Sequence, residues 1–286
     1  MVDKQYEVII GGQDFSDIIS MDDGYKWKVN SFSAESSTGQ DTNGNFHVPV
    51  LGERVQLIFT MPPYITKERF SELVTALKMG SKGQREVTIT YDDLLFGEIT
   101  QNFYCTNIPW LKAKLPGYPY HYGGDVSIQL TSTTFIGKQV VNDSPKLAPV
   151  FNNDTEFEFK INGLEFNDII SIDGFKGQGI EQSLESQTGL TLDGKFHLPI
   201  IGSRTQLAID SPKFIEVGRF RQLGKALGFG KLGERSHTIK YKDMVYGSTT
   251  QKFYCTEISG VRVKLPNYPY HYVKDVKFQQ AMKQFF

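Results

Sequence analysis

The sequence predicts a mainly β protein with one helix in each of two tandem, homologous β-sandwich or barrel domains. Three observations predict it: the 286-residue chain repeats itself at a spacing of about 150 residues, most of each repeat shows strand-like patterns, and each repeat contains a single amphipathic helix. One helix among about six strands is typical of a small sandwich or partly closed barrel whose helix covers an open end or edge.

The internal repeat is clearest in the later part of each copy. Between positions 91 and 126, 20 of the 36 residues are identical to the residue 150 positions further on. Upstream the spacing becomes 151, because one residue is dropped near Asp23. A stretch without an internal match contains prolines and polar residues typical of a linker. The predicted domains are therefore residues 1–135 and 155–286, joined by a linker over 136–154.

Six strand-like segments recur in each repeat. The segment 46–60 shows the pattern well, because Val55, Leu57 and Phe59 occupy every second position and so share one face. The polar, glycine-containing segment 36–45 predicts a long exposed loop or hairpin tip. In the first repeat the predicted strands are residues 6–10, part of 25–35, 46–60, 86–91, 98–107 and 125–131.

One helix per repeat is predicted from apolar spacing. Over residues 66–79, the apolar residues Phe70, Leu73, Val74 and Leu77 recur at helical intervals. The threonine at position 66 can cap the start of this helix, and Gly80 supplies a stop. The second repeat carries the same pattern at Phe220, Leu223 and Leu227.

Charge and composition exclude several classes of function. The chain has 31 Lys and Arg against 32 Asp and Glu, with a pI near 6.5, which argues against a polybasic nucleic-acid or membrane-surface protein. No apolar run approaches the ~20 residues of a membrane span, and polar residues begin at Asp3, so we expect a soluble cytoplasmic protein without a signal peptide.

The two repeats differ in net charge. Residues 1–150 carry 13 basic and 17 acidic residues, a net charge of −4, whereas residues 151–286 carry 18 and 15, a net charge of +3. The opposite signs either favour side-by-side packing of the repeats or reflect drift on two solvated surfaces.

The sequence offers no recognisable catalytic or metal-binding motif. It lacks a His-Glu-x-x-His helix, Gly-x-Ser-x-Gly, a phosphate-binding glycine loop and Cys-x-x-Cys. Cys105 and Cys255 occupy the same place in the two repeats and are expected to be buried in strands. His121 and Asp125, like their counterparts 150 residues later, fit a structural hydrogen bond better than a hydrolase site. We therefore expect no enzymatic activity, no cofactor and no metal.

The strongest local signal is a proline- and tyrosine-rich run near the end of each repeat. Prolines three residues apart force an extended backbone on which alternate tyrosines share one side. These tyrosines form either an aromatic platform for a sugar or peptide, or a domain edge packed against a neighbour, which we favour. Trp27 and Trp110 align with Gly177 and Gly260, so they mark either a contact surface of the first repeat or isolated packing. The candidate interface residues are Tyr118, Tyr120, Tyr122, Tyr268, Tyr270, Tyr272, Trp27 and Trp110.

Several features of the second repeat together resemble small tail and baseplate proteins of phages and prophages of Gram-positive bacteria. They are the start Ile161-Asn162-Gly163, the segment Gly194-Lys195-Phe196 before a strand with Arg204, a helix, and the late run Tyr272-Val273-Lys274-Asp275-Val276. One helix with about six strands is also similar to the tail-tube fold, whose subunits form hexameric rings. The resemblance implies a virion protein of the tail, assembled in the host cytoplasm with other tail or baseplate proteins.

A doubled tail-tube-like domain allows three chains to present six quasi-equivalent domains, so that a threefold part joins a sixfold tube. We therefore expect a non-enzymatic structural protein of a phage tail, tail tip, baseplate hub or related injection particle. Its exposed loops 36–45 and 187–195 would contact neighbouring subunits. DNA would be able to pass through the lumen of the ring. We expect no membrane binding and no sequence-specific binding of nucleic acid. The alternative is a tandem carbohydrate- or cell-surface-binding module that uses the tyrosines.

Overall fold

The described residues form one large antiparallel sheet with two α-helices, which confirms the prediction of a mainly β protein. The structure is a computed structural model and describes residues 7–18, 25–33, 39–40, 46–47, 49–61, 65–83, 85–105, 108–109, 113–114, 121–123, 127–134, 136, 158–170, 176–183, 189–190, 196–197, 200–211, 214–243, 247–264 and 271–282. Sixteen strands in this part of the chain join in the one sheet.

The secondary-structure elements recur in the two halves of the chain, residues 1–150 and 151–286. The first half contains β1 Val8–Ile10, β2 Gln13–Asp14, a 3-10 turn Ser16–Ile18, β3 Tyr25–Ser33, β4 Gly39–Gln40, β5 Phe46–His47, β6 Pro49–Thr60, β7 Ile65–Thr66, α1 Lys67–Ala76, β8 Val87–Asp93, β9 Gly97–Cys105, β10 Ala113–Lys114, β11 His121–Gly123 and β12 Ser127–Ser132. The second half contains β13 Phe159–Ile161, β14 Leu164–Glu165, β15 Lys176–Ser183, β16 Gly189–Leu190, β17 Phe196–His197, β18 Ile200–Ser211, β19 Ile215–Glu216, α2 Val217–Ala226, β20 Gly233–Glu234, β21 His237–Asp243, β22 Gly247–Lys264 and β23 His271–Met282.

The strands of the two halves lie in the same order. In the first half the order is β2-β1-β8-β9-β12-β6-β3, and in the second half it is β14-β13-β21-β22-β23-β18-β15. Their registers also correspond, because Trp27 lies opposite Leu57 and, 150 residues later, Gly177 lies opposite Leu207. A residue and its counterpart 150 positions away therefore occupy matching places from β3 onward.

The helix α1 begins at the predicted residue but ends earlier than predicted. The Thr66 hydroxyl accepts a hydrogen bond from the Arg69 amide at 3.2 Å, as a helix cap does. The left-handed residue that ends the helix is Lys78, with φ of 53°, and not the predicted Gly80. Beyond it, the Met79 amide donates to the Val74 carbonyl at 3.1 Å, which satisfies a free carbonyl of the last turn.

The apolar core runs from one half into the other. It is one continuous cluster of buried side chains that contains residues of β1, β6 and α1 together with residues of α2 and β22. In the first half, Leu73 of α1 and Leu77, which directly follows the helix, line a small apolar space with Val8, Phe59 and Leu130. The helix therefore packs against β1, β6 and β12.

Candidate functional site

The two halves are joined by strand pairing. The later part of β22 pairs with β3, from Glu257 opposite Asn30 to Arg262 opposite Tyr25. Because β22 also pairs with β21 and β23, the sheet of the second half continues into the sheet of the first. We call this contact the joint. On the side of the second half it includes the neighbouring parts of α2, β20 and residues 228–235. On the side of the first half it includes the neighbouring parts of β6 and the turn 92–96.

Trp27 lies in the middle of the joint and is held by a buried carboxylate. Its indole Nε1 donates to Asp93 Oδ2 at 2.8 Å, and its ring meets the Phe220 ring edge-on with centroids 5.9 Å apart. Asp93 also accepts hydrogen bonds from the Leu95 amide at 2.8 Å and the Phe96 amide at 3.1 Å. Burial raises the pKa of Asp93, while these donors oppose the rise. The turn after β8 thus fixes the face on which the second half packs.

Two arginines of the second half reach this turn. Arg262 Nη1 donates to the Asp92 carbonyl at 2.8 Å, and Arg262 Nη2 pairs with the Asp92 carboxylate. Arg221 of α2 donates from Nε to the Leu94 carbonyl at 3.0 Å. Desolvation lowers the pKa of Arg221, although the nearby Asp92 opposes it. Buried guanidinium groups therefore satisfy backbone carbonyls of the opposite half.

A second buried ion pair crosses the joint at Arg235. The Arg235 Nη1 to Glu53 Oε1 distance is 2.7 Å, and both side chains are at most 3% exposed. Glu53 also accepts from the Gly230 amide at 3.1 Å, while Arg235 Nη2 donates to the Ser31 hydroxyl. Burial raises the pKa of Glu53, and Arg235 opposes the rise. Such a pair specifies one alignment of two surfaces, because separating its members leaves charges buried and uncompensated.

The packing around α2 leaves little room for change. A Cβ added to Gly224 would lie 2.2 Å from Leu95 Cδ2, so the helix approaches the turn of the first half as closely as a glycine permits. The rest of α2 is also largely covered, since seven of its ten residues are buried. The joint thus combines strand pairing, buried charge pairs and close apolar packing.

The structure places some of the candidate interface residues and leaves the others outside the described residues. Trp27 lies at the joint and is 1% exposed. Tyr272 is half-buried in β23, opposite Glu216 of β19, and the backbone of Tyr122 pairs with that of Thr66. The candidates that lie outside the described residues are Tyr118, Tyr120, Tyr268, Tyr270 and Trp110.

The sequence did not indicate the charged residues of the joint. Asp92 and Arg221 differ in charge from their counterparts Lys242 and Ser71, and this difference was the available signal. The other two arginines of the joint, at positions 235 and 262, have basic counterparts and gave no such signal. Residues shared by both halves are explained by a shared fold, whereas unlike charges at matching places point to a contact that only one of them makes.

The cysteines are buried, as predicted from their place in strands. Burial raises the pKa of Cys255 to about 12, which keeps it as an unreactive thiol. Among the described residues, no group of three or more His, Cys, Asp or Glu side chains is arranged to hold a metal ion. The backbone of His271 is placed in β23, and the described Asp275 is exposed, but His271's side chain lies outside what the structure describes, as does Asp125.

Comparison with known proteins identifies no family. No protein-family model matches the chain, and no curated protein matches its sequence. In the part of the chain that the structure describes, neither helix is long and apolar enough to cross a membrane.

Proposed function

We propose that this chain is a non-enzymatic structural protein that assembles with copies of itself into a ring. The ring belongs to the tail, tail tip or baseplate hub of a phage or a related injection particle. In this proposal the two halves are duplicated, tail-tube-like sandwich domains that occupy neighbouring, quasi-equivalent places. The observation that carries it is the joint, in which two halves with the same strand order meet through unlike surfaces.

A contact between two unlike surfaces supports assembly, because each unit that makes it with one surface still has its other surface available for a further unit. The first half contributes β3 and the turn after β8, whereas the second half contributes β22 and α2. When related units meet in this head-to-tail manner, each end keeps one unused surface, and repeated contacts give a closed ring or an open filament. Three chains would place six halves around such a ring.

The energetics of the joint also favour a structural role. Its buried pair Glu53–Arg235 and its close approach at Gly224 fix one alignment of the two halves. A fixed alignment suits a building block, because small angular errors between neighbours would otherwise accumulate around a ring. The sequence resemblance to phage tail proteins names the particle in which such a ring would serve.

The assembly is tested by native mass spectrometry and negative-stain electron microscopy of the purified full chain over a range of concentrations. We expect a species of three chain masses that images as a ring with six lobes. A single-chain mass at every concentration, with no rings, would overturn the proposal.

The place in a tail is tested separately. Particles released after prophage induction in the source organism would be purified and their proteins identified by mass spectrometry. We expect this chain at a constant ratio to other tail proteins. A chain found only outside particles, or bound to cell-wall glycans as a monomer, would contradict a tail role and favour the carbohydrate-binding alternative.

A further inference from the structure

The helix α1 exposes the face that α2 buries in the joint. Phe220, Arg221 and Gly224 all contact the first half and are buried there. The counterparts of the last two, Ser71 and Val74, are exposed and half-buried. In α1 only Leu73 is buried, whereas seven residues of α2 are buried. Helices at matching places therefore differ because only α2 has a partner surface across the joint.

The strand β15 presents a complementary edge. Its counterpart β3 pairs with β6 on one edge and with β22 on the other. β15 pairs with β18 in the matching register, and among the described strands it has no pairing on its other edge. Lys176, Gly177 and Gln178 are exposed there, whereas Trp27 is buried by the joint. An open strand edge of this kind is a template for pairing with another chain.

In the joint, an arginine binds an acidic residue and a serine that lie opposite each other on neighbouring strands. The second half has the same two residue types at the matching places. Arg235 binds Glu53 and Ser31, which lie opposite each other on β6 and β3. At the matching places of β18 and β15, Ser203 lies opposite Glu181. The acidic and the hydroxyl residue types have exchanged strands, so the backbone register sets an acidic residue opposite a serine in both halves.

The matching arginine is present as well. Arg85 is the counterpart of Arg235 and is half-buried at the end of the turn that follows α1. The first half of the same chain is already engaged through β3 in the joint. A contact of Arg85 with residues 181 and 203 would therefore need the first half of a second chain.

We infer that the first half of one chain docks on the β15 edge of a second chain in the manner of the joint. In this contact the α1 face with Phe70, Ser71 and Val74 packs on the second half of the neighbour, and Arg85 binds at Glu181. The inference rests on the proposed ring assembly and names the surfaces through which its chains meet.

The contact between chains is weaker than the joint within a chain. Asp92, which pairs with Arg262 in the joint, has Lys242 at the matching place of the second half, so the contact between chains lacks this acid. Assembly should therefore depend on concentration, whereas the joint holds within each single chain. Lys242→Asp restores an acid at the place of Asp92 and should strengthen assembly.

The α1 face is tested with two bulky substitutions on the same helix. Ser71→Trp places a large ring on the docking face. Thr75→Trp is the matched control, because Thr75 and its counterpart Lys225 are both exposed and the joint covers neither. Sedimentation velocity on the full chain should show that Ser71→Trp raises the concentration needed for half assembly by about tenfold or more, with Thr75→Trp close to wild type. Equal assembly of the two variants would overturn the inference.

The arginine contact is tested by charge exchange. Arg85→Glu and Glu181→Arg should each weaken assembly by about tenfold, and the chain carrying both should recover most of it. Far-ultraviolet circular dichroism and urea unfolding would show that each variant folds. A double variant no better than the singles overturns this docking surface. If wild type forms rings that none of these variants disturbs, only the docking surface fails. If wild type never assembles, the proposed function fails with it.

Discussion

The two halves keep the same internal brace. Arg69 of α1 lies over the Phe15 ring at 4.4 Å and forms an ion pair with Asp17 at 2.6 Å. Its counterpart Arg219 lies over Phe166 at the same distance. These contacts join each helix to the turn after the second strand of its own half. They therefore stabilise the packing inside a half and not the contact between the halves.

Some residues of the joint, in contrast, differ between the halves. Trp27 and Arg221 are buried in it, and their counterparts are Gly177 and Ser71. The same strand order forms twice in each chain, once in each half, whereas the joint forms only once. The comparison teaches that a contact made inside each half keeps its residues in both, and that the unlike residues at the places of Trp27 and Arg221 mark a contact that only one half makes.

Breaking the buried ion pair of the joint should have the largest effect. Glu53→Ala or Arg235→Ala leaves an uncompensated buried charge, so each should lower the free energy of unfolding by about 3–5 kcal/mol. Urea unfolding of the full chain, followed by circular dichroism, measures this loss.

The counterpart of Arg235 provides the control for that prediction. Arg85→Ala, at concentrations where chains remain single, should cost less than about 1 kcal/mol, because Arg85 is only half-buried in the single chain. Equal losses at the joint and at this counterpart would contradict the view that the two places differ in their contacts.

A smaller effect on stability is expected from a buried position at which the halves differ, which is a histidine in β21 and a valine at the matching place in β8. His237 is 3% exposed, and its Nε2 lies 2.5 Å from Gln280 Oε1, whereas the counterpart is Val87. Burial lowers the pKa of His237 from 6.5 to about 4. Between these values the unfolded chain binds a proton that the folded chain does not, so stability falls as the pH is lowered from 6.5 to 4. The contribution amounts to about 3 kcal/mol at pH 4.

The substitution His237→Val should remove this part of the acid sensitivity. Because it also leaves Gln280 without its partner, the quantity to compare is the slope of unfolding free energy against pH and not its absolute value. His237→Gln, which keeps a polar group without titrating near this range, is the matched control and should flatten the slope equally. A slope unchanged in both variants would show that His237 is already protonated in the folded chain.

Much of the fold could be predicted because its signals are local. The alternation of Val55, Leu57 and Phe59 predicted a strand, and all three are buried on one face of β6. The capping role of Thr66 was likewise predictable, since it depends on residues three positions apart. The end of α1 was not, because Lys78 adopts a left-handed conformation that its residue type does not favour.

The joint could not be predicted in the same way, because its contacts join residues far apart in the chain. Arg262 and Tyr25 are 237 positions apart, and Arg221 and Leu94 are 127 apart. No local pattern marks an arginine that will bind a distant carbonyl. Trp27 was a candidate because the repeat places a glycine at its counterpart, which shows that the differences between the halves carried the usable signal.

The smallest expected effect comes from the left-handed residue at which each helix ends. Lys78 has φ of 53° in the first half, and its counterpart Gly228 has φ of 85°. A glycine adopts this conformation without the steric penalty of a Cβ, so Lys78→Gly should raise the free energy of unfolding by about 0.5 kcal/mol, despite losing the Nζ hydrogen bond to the Glu86 carbonyl. The reciprocal Gly228→Lys should lower it by about 1–2 kcal/mol. Urea unfolding measures both, and a loss of stability in Lys78→Gly would mean that the bond to Glu86 outweighs the backbone strain.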